Sequence, residues 1–197
     1  MERADLKELH FITPIANVPS ILRHGILCKR IAKRLTPVSI AMEEVQAIRA
    51  NKAVPGGRPL HDYANLYVSA RNPMLYKRAE RHLELSVLRI DPAVIDLPGV
   101  VIADGNSASG YTAFWPATTG LSMIDGDLVF AEYWTDSDQI VQWRKARVKC
   151  VEVLVPARVD PRFIIGAYVS CNQAAEVLRS TGARMTIIID GHLFFRG

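Results

Sequence analysis

One short stretch limits what this chain can fold into more than any other: Lys149-Cys150-Val151-Glu152-Val153-Leu154-Val155-Pro156. Its β-branched residues favour extended chain, and in a strand the side chains alternate between two faces. Cys150, Glu152 and Leu154 then share one face, and Val151, Val153 and Val155 share the other. Both faces are apolar apart from one carboxylate, the pattern of a strand covered on both sides. Burying a lone carboxylate is costly, so Glu152 requires a cation, a hydrogen-bond donor or a cleft. A salt bridge to an arginine, an edge strand with a wet Glu152 face and a functional carboxylate all satisfy that requirement. Arg49, near the end of a helix that runs to about Ala50, is a cationic complement, although an arginine on a helix is most often solvated surface.

A chain of 197 residues buries a core without metal or disulfide support. With 49% apolar and 22% charged residues it belongs with folded globular proteins rather than disordered, collagenous or coiled-coil ones. No repeat or low-complexity linker divides it, and one domain over 1–197 is expected. The net charge of +4 permits a polyanionic partner without demanding one. Cys28, Cys150 and Cys171 are too far apart for a zinc cage, so no metal is expected, and an odd count fits a reducing compartment. Met1-Glu2-Arg3-Ala4-Asp5 precedes no apolar signal region, and no apolar run nears the ~20 residues of a membrane span. A cytoplasmic protein with no membrane contact is the expectation.

Strands are expected at 9–13, 66–70, 83–90, 100–103, 150–155, 164–170, 185–189 and 193–195. One helix opens around Asn17 or Ser20 as cap and ends at Gly25; another enters at Thr36-Pro37-Val38-Ser39 with Glu43 and Glu44 in its first turn. Helices follow at 73–81 and at 173–181, the latter closed by Gly182. Residues 104–149 hold all three tryptophans and no clear strand, and read as a helical insertion with a helical subdomain over 124–143 buried by its aromatics. Interleaved strands and helices in irregular order make the class α+β.

His10, in an otherwise apolar strand, reads first as a satisfied core residue, and His61-Asp62-Tyr63 as a turn. Basic residues cluster at 23–34, 77–81 and 144–149. Each cluster alone reads as a solvated face; together they outline a phosphate track with Tyr and Trp available to stack unpaired bases. No helix-turn-helix, zinc-finger or RNA-recognition signature accompanies them.

Several segments, in order, resemble the DarT family of NAD-dependent DNA ADP-ribosyltransferase toxins. They are Thr13-Pro14-Ile15-Ala16-Asn17-Val18-Pro19-Ser20-Ile21-Leu22, Leu60-His61-Asp62-Tyr63, Ala70-Arg71-Asn72-Pro73-Met74-Leu75-Tyr76, Asp104-Gly105-Asn106 with Tyr111-Thr112-x-Phe114, and Val151-Glu152-Val153-Leu154-Val155-Pro156. The resemblance implies an ADP-ribosyltransferase-like split mixed β-sheet with flanking helices, gripping NAD in a central cleft. It implies Glu152 and Arg49 as the catalytic pair, with His10, Thr13, Asn17, Arg49, Tyr67 and Met74 at the NAD site. Arg71 and Asn72 follow from the same resemblance as DNA-binding residues, and the basic cluster at 144–149 adds Arg147 and Lys149. Family members often place the histidine two residues before the threonine, and here the offset from His10 to Thr13 is three, which on a strand changes the face. The implied activity is transfer of ADP-ribose to a base of single-stranded DNA, guanine favoured over thymine, with nicotinamide released and no metal. A DarG-type antitoxin is the implied partner. The competing readings are a transferase acting on RNA or protein, and a non-catalytic nucleic-acid-binding module. Glu152 argues against the last, since a binder has no need of an acid on an apolar strand.

Overall fold

The computed structural model describes residues 1–196; Gly197, the last residue of the expected domain, lies outside them. The strands are β1 (Leu9–Pro14), β2 (Ile26–Leu27), β3 (Tyr63–Tyr67), β4 (Leu85–Ile90), β5 (Val101–Ala103), β6 (Phe114–Pro116), β7 (Glu152–Pro156), β8 (Arg158–Val159), β9 (Ile164–Val169) and β10 (Ile187–Ile189). The α-helices are α1 (Val18–His24), α2 (Lys29–Ala32), α3 (Glu43–Ala50), α4 (Pro73–Tyr76), α5 (Ala117–Gly120), α6 (Gly126–Phe130), α7 (Gln139–Val148) and α8 (Asn172–Ser180). Eight strands form one sheet in the order β10-β9-β4-β1-β3-β7-β5-β6, antiparallel except for the β9–β10 pair. β2 and β8 make a separate antiparallel pair. The class is mixed α+β.

At the centre of this sheet β1 and β3 share a single register pair, His10 with Tyr67, whereas β1 pairs with β4 from Leu9 to Pro14 and β3 with β7 from Tyr63 to Tyr67. The sheet is therefore split into two halves joined at one point. Alternation along the strands sorts the side chains accordingly. Ala64, Leu66, Val68, Leu88, Ile90, Val153 and Val155 enter one continuous core. Ala174, Ala175 and Leu178 make an i, i+1, i+4 stripe by which α8 packs onto that core. On the opposite face the packing is divided. Ile12, Leu75, Leu85, Val87 and Phe194 cluster over one half-sheet, and Val54, Leu60, Tyr63, Ala103 and Leu154 over the other. The gap between these two clusters is the cleft described below.

Both ends of α1 follow their signals: Pro19 lies in the first turn and Gly25, at φ +85°, closes the helix by donating to Ile21 O at 2.7 Å. Four expectations are corrected. The Thr36 entry does not start a helix: Thr36 is left-handed, 36–42 crosses the cleft as an irregular strap, and α3 begins at Glu43. The expected 73–81 helix is one turn of α4 followed by a 3-10 segment, Ala79–Glu84. Residues 193–195 are a turn rather than a strand, because Phe194 and Arg196 both donate back to Gly191 O. Within 104–149 a short strand, β6, extends the sheet edge, and Phe130, Tyr133 and Trp143 are exposed instead of forming a buried aromatic centre.

Lys149 is a further correction, since it was expected at DNA. It is 2% exposed, and its ammonium donates to Ser69 Oγ at 3.0 Å, Val129 O at 2.9 Å and Ala131 O at 2.7 Å. It ties the end of α6 to the segment after β3 and has nothing left for a phosphate. Burial, assisted by Arg71, pulls its pKa from 10.5 down to about 8. The unfolded chain thus binds a proton that the fold gives up between about pH 8 and 10.5, and this group's contribution to stability rises with pH across that window. Replacing Lys149 by Met strands three buried acceptors and is expected to cost about 2–3 kcal/mol. Denaturant melts at several pH values check both points: the variant's midpoint falls, and the wild type's added gain above pH 8 disappears. Single-stranded DNA affinity of the folded variant stays unchanged.

Candidate active site

The cleft opens where β1 and β3 diverge and has a volume of about 540 Å³, within the range of small-molecule sites. β1 lines it from Phe11 to Pro14, β3 contributes Tyr63, Asn65 and Tyr67, and the strap closes it from above with Thr36 to Met42. Lys29, Arg49, Lys77 and Arg78 all line it, while Glu152 is the single carboxylate among its described lining residues. Such a surplus of cations suits an anionic ligand.

Glu152 enters because β7 pairs with β3 in the register Tyr67–Glu152, which turns both side chains to the divided face. It is 1% exposed. Arg49 reaches it from α3, a helix that inverts ordinary amphipathic burial: Arg49 is 5% exposed and its neighbour Ile48 is 51% exposed. The arginine therefore does not lie in solvent, as helix position alone suggested. Its Nη1 donates to Glu152 Oε2 at 3.1 Å and to Ser107 Oγ at 2.5 Å, and Ser107 Oγ donates to the same Oε2 at 2.7 Å. The salt-bridge reading of Glu152 and the cleft reading thus hold together. Beside this group, the Tyr67 phenol is held well above its usual pKa by burial and then by the Glu152 charge. Cys150, on the same face, is pushed up to about 12 by burial and Glu152, which keeps it a neutral thiol.

Thr13, Asn17, Tyr67 and Met74 all line the cleft. Asn17 holds the N-terminal position of α1 but does not cap it. Its amide is turned to the strap instead: Nδ2 donates to Val38 O at 2.9 Å and to Thr13 Oγ1 at 3.3 Å, and Oδ1 accepts from Val38 N at 3.0 Å. That pairing fixes the strap across the cleft.

His10 is not in the cleft. It marks the point where the two half-sheets join, and its ring nitrogens meet Val68 O at 3.2 Å and Glu8 Oε1 at 3.0 Å. Burial opposes ionisation of Glu8, but hydrogen bonds from His10, Tyr168 and Arg89 override it and hold the carboxyl at about 2. By register His10 lies on the same face as Tyr67, so the three-residue offset from Thr13 does not turn it away; the cleft lining on β1 begins one residue later, at Phe11. Asn72 is fully buried, accepting from Leu75 N at 3.0 Å and donating to Ser69 O at 2.8 Å, so it caps α4 and cannot touch DNA. Arg71 is turned to the C-terminal turn, where it donates to His192 O and stacks 4.1 Å above the Phe195 ring. Arg147 pairs with Asp104 at 2.6 Å and stays about one-third exposed. Among the described residues no cluster of three His, Cys, Asp or Glu side chains is placed to hold a metal, and no helix is long and apolar enough to cross a membrane.

Two elements of the site escaped the sequence. Ser107 lies in Ser107-Ala108-Ser109-Gly110, where small polar residues advertise only a loop, and nothing marks one hydroxyl as buried on a carboxylate. The strap mimics a helix entry, and the one signal against it, Pro37 after a left-handed Thr36, is conformational.

The family model described as "ssDNA thymidine ADP-ribosyltransferase, DarT" matches residues 10–195. A DNA ADP-ribosyl transferase–DNA ADP-ribosyl glycohydrolase fusion protein of Thermosipho africanus is 31% identical over 198 residues. The match covers 96% of this chain and 50% of that protein, so the chain spans half the length of this relative. The structure of Thermosipho africanus DarTG in complex with ADP-ribose superposes with a TM-score of 0.84 at 30% identity, over 96% of this chain and 51% of that one. Thermus sp. 2.9 DarT in complex with ADP-ribosylated ssDNA and with NAD+ gives TM-scores of 0.77 and 0.73, covering 96% and 97% of those chains. At 22% and 21% identity that is a likeness of fold. A split sheet with a buried Arg49–Glu152 pair at its opening, matched along nearly its whole length by the family model, places this chain in the DarT family.

Proposed function

We propose that this chain is an NAD-dependent ADP-ribosyltransferase that attaches ADP-ribose to a base of single-stranded DNA and releases nicotinamide. The observation that carries the reading is the buried Arg49–Glu152 pair in a cleft whose remaining Lys and Arg side chains face no second carboxylate among the described lining residues. Lys29, Lys77 and Arg78 complement a pyrophosphate, and Thr13, Asn17, Tyr67 and Met74 form the walls against which NAD is oriented. Breaking the nicotinamide–ribose bond sends the bonding pair to the departing neutral nicotinamide and leaves positive charge on the ribose. Glu152 stabilises that charge in a water-poor site and accepts or orients the proton lost by the attacking base. Arg49 holds Glu152 in place as its buried counter-charge. An unpaired strand presents its base already unstacked, sparing the few kcal/mol of extrusion from a duplex. The family description names thymidine, so this reading takes thymine in preference to the guanine expected from the sequence; the relatives' descriptions name no base. The Thermosipho relative joins transferase and glycohydrolase in one chain, which supports a DarG-type antitoxin as partner of a toxin. We take 1–197 as one domain working in the cytoplasm, where NAD and DNA meet.

Oligonucleotides incubated with NAD and a chelator, then weighed by mass spectrometry, test the substrate. Gain of one ADP-ribose on thymine-containing single strands is expected, with duplexes much poorer. Modification confined to guanine, RNA or protein would move the assignment to that acceptor, and no modification of any with intact NAD binding favours a mere binder. Glu152→Gln is expected to lower the single-turnover rate at least ~100-fold while NAD and DNA still bind. Its melting point falls, because the buried Arg49 loses its counter-charge. Arg49→Ala leaves a buried carboxylate unpaired and is expected to destabilise the fold by about 3–5 kcal/mol as well as to impair NAD use. Thermal melts beside NAD titrations separate the two effects, and normal NAD turnover in this variant would remove Arg49 from the site.

A further inference from the structure

Ser107 is the third member of the buried group around Glu152, and the reaction outlined above leaves it without a task. It is fully buried. Its hydroxyl accepts from Arg49 and donates to Glu152 Oε2. A carboxylate offers two acceptor sites on each oxygen, and the last torsion of a glutamate is broad and soft. Both donors here converge on Oε2, and among the described residues Oε1 accepts nothing from the protein. Two donors on one oxygen, arriving from different elements, fix the plane of the carboxylate. One alone leaves it free to turn. Oε1 is then the oxygen available to whatever occupies the cleft that Glu152 lines.

The loop that delivers Ser107, residues 104–113 between β5 and β6, is braced along its length. Asp104 N donates to Ala113 O at 3.1 Å, and Ala113 N to Asp104 Oδ1 at 2.9 Å. Thr112 Oγ1 donates to Asn106 O at 2.7 Å. Lys52 donates to Ser109 O from below, and Arg147 holds Asp104 from the side at 2.6 Å. The far end carries Tyr111, 89% exposed. One rigid loop thus runs from open solvent to the carboxylate.

We propose that Ser107 is a positioning residue: by pinning Oε2 it sets the carboxylate plane of Glu152, so that the seating of the 104–113 loop governs the geometry of the reacting acid. The proposal rests on the transferase reading above. Ser107→Ala removes the donor, and Ser107→Cys removes the strong O–H donor while keeping most of the volume. In both, single-turnover modification of single-stranded DNA at saturating NAD is expected to fall 10- to 100-fold, the scale of a small misplacement of a reacting group. NAD and DNA dissociation constants stay within about twofold of wild type on the same scale of reasoning, since ground-state contacts are untouched. The decisive readout is a double-mutant cycle. In a Glu152→Gln background, adding Ser107→Ala is expected to change the rate less than about twofold, because a group acting only through Glu152 has nothing left to position. A full additional loss in that background would make Ser107 independent of Glu152 and overturn the proposal. A wild-type rate in folded Ser107→Ala would overturn it too, as would loss of fold in both single variants. If only the Ala variant fails to fold, the Cys variant decides. Wild-type protein that modifies no DNA defeats the transferase reading itself, whereas active wild type with unaffected variants defeats only the role of Ser107.

Discussion

The buried pairing of Arg49 with Glu152 is the interaction on which the other features converge. It takes one partner from a helix beneath the strap and the other from the middle of a sheet, more than a hundred positions apart in the chain. Ion pairs at such depth are poor devices for stability, because desolvating two charges offsets most of their attraction and an apolar pair of equal volume commonly does as well. The fold nevertheless accommodates the pair with care. It reserves a serine to share both partners, inverts the burial pattern of α3 and leaves one oxygen of Glu152 without a donor among the described residues. These are the marks of a charge kept for use at a particular place.

The divided face of the sheet follows from the same requirement. A continuous β1–β3 ladder would bring the clusters around Ile12 and Leu60 together and close the space over Glu152. With one register pair between the strands, the large core on the other face must hold the halves in line, and it does so through α8 and the alternate residues of β3, β4 and β7. Stability and the site are thus assigned to opposite faces of one sheet. Strand alternation makes this possible with single-residue resolution: Val153 and Val155 build the core, while Glu152 and Leu154 between them face the cleft side.

Much of this was legible in the sequence where periodicity and punctuation agree. β1, β4 and β9 fall where alternation places them, α1 and α8 end near Gly25 and Gly182, and the apolar flanks of Glu152 announced a buried carboxylate. Legibility failed where the deciding partner is remote. Lys149 and Asn72 are residue types that serve a phosphate or a backbone carbonyl equally well, and only tertiary packing shows that both are enclosed. Ser107 carries no pattern at all. Thr36 and Pro37 satisfy the rules for a helix start, but the segment's backbone finds its partner in Asn17, twenty-one residues upstream of Val38, and local propensity yields to that bond.

The strap's attachment has a consequence for how this chain can diverge. Asn17 grips Val38 by its backbone amide and carbonyl, with no use of the valine side chain. The identity of residue 38 is therefore uncoupled from the fixing of the strap, and any residue that keeps its N–H preserves the attachment; proline alone is barred. Half of Val38's surface is open. Mutational drift in the roof of the cleft can proceed without loosening it, so the rim that meets an incoming ligand is free to vary while the fastening stays constant.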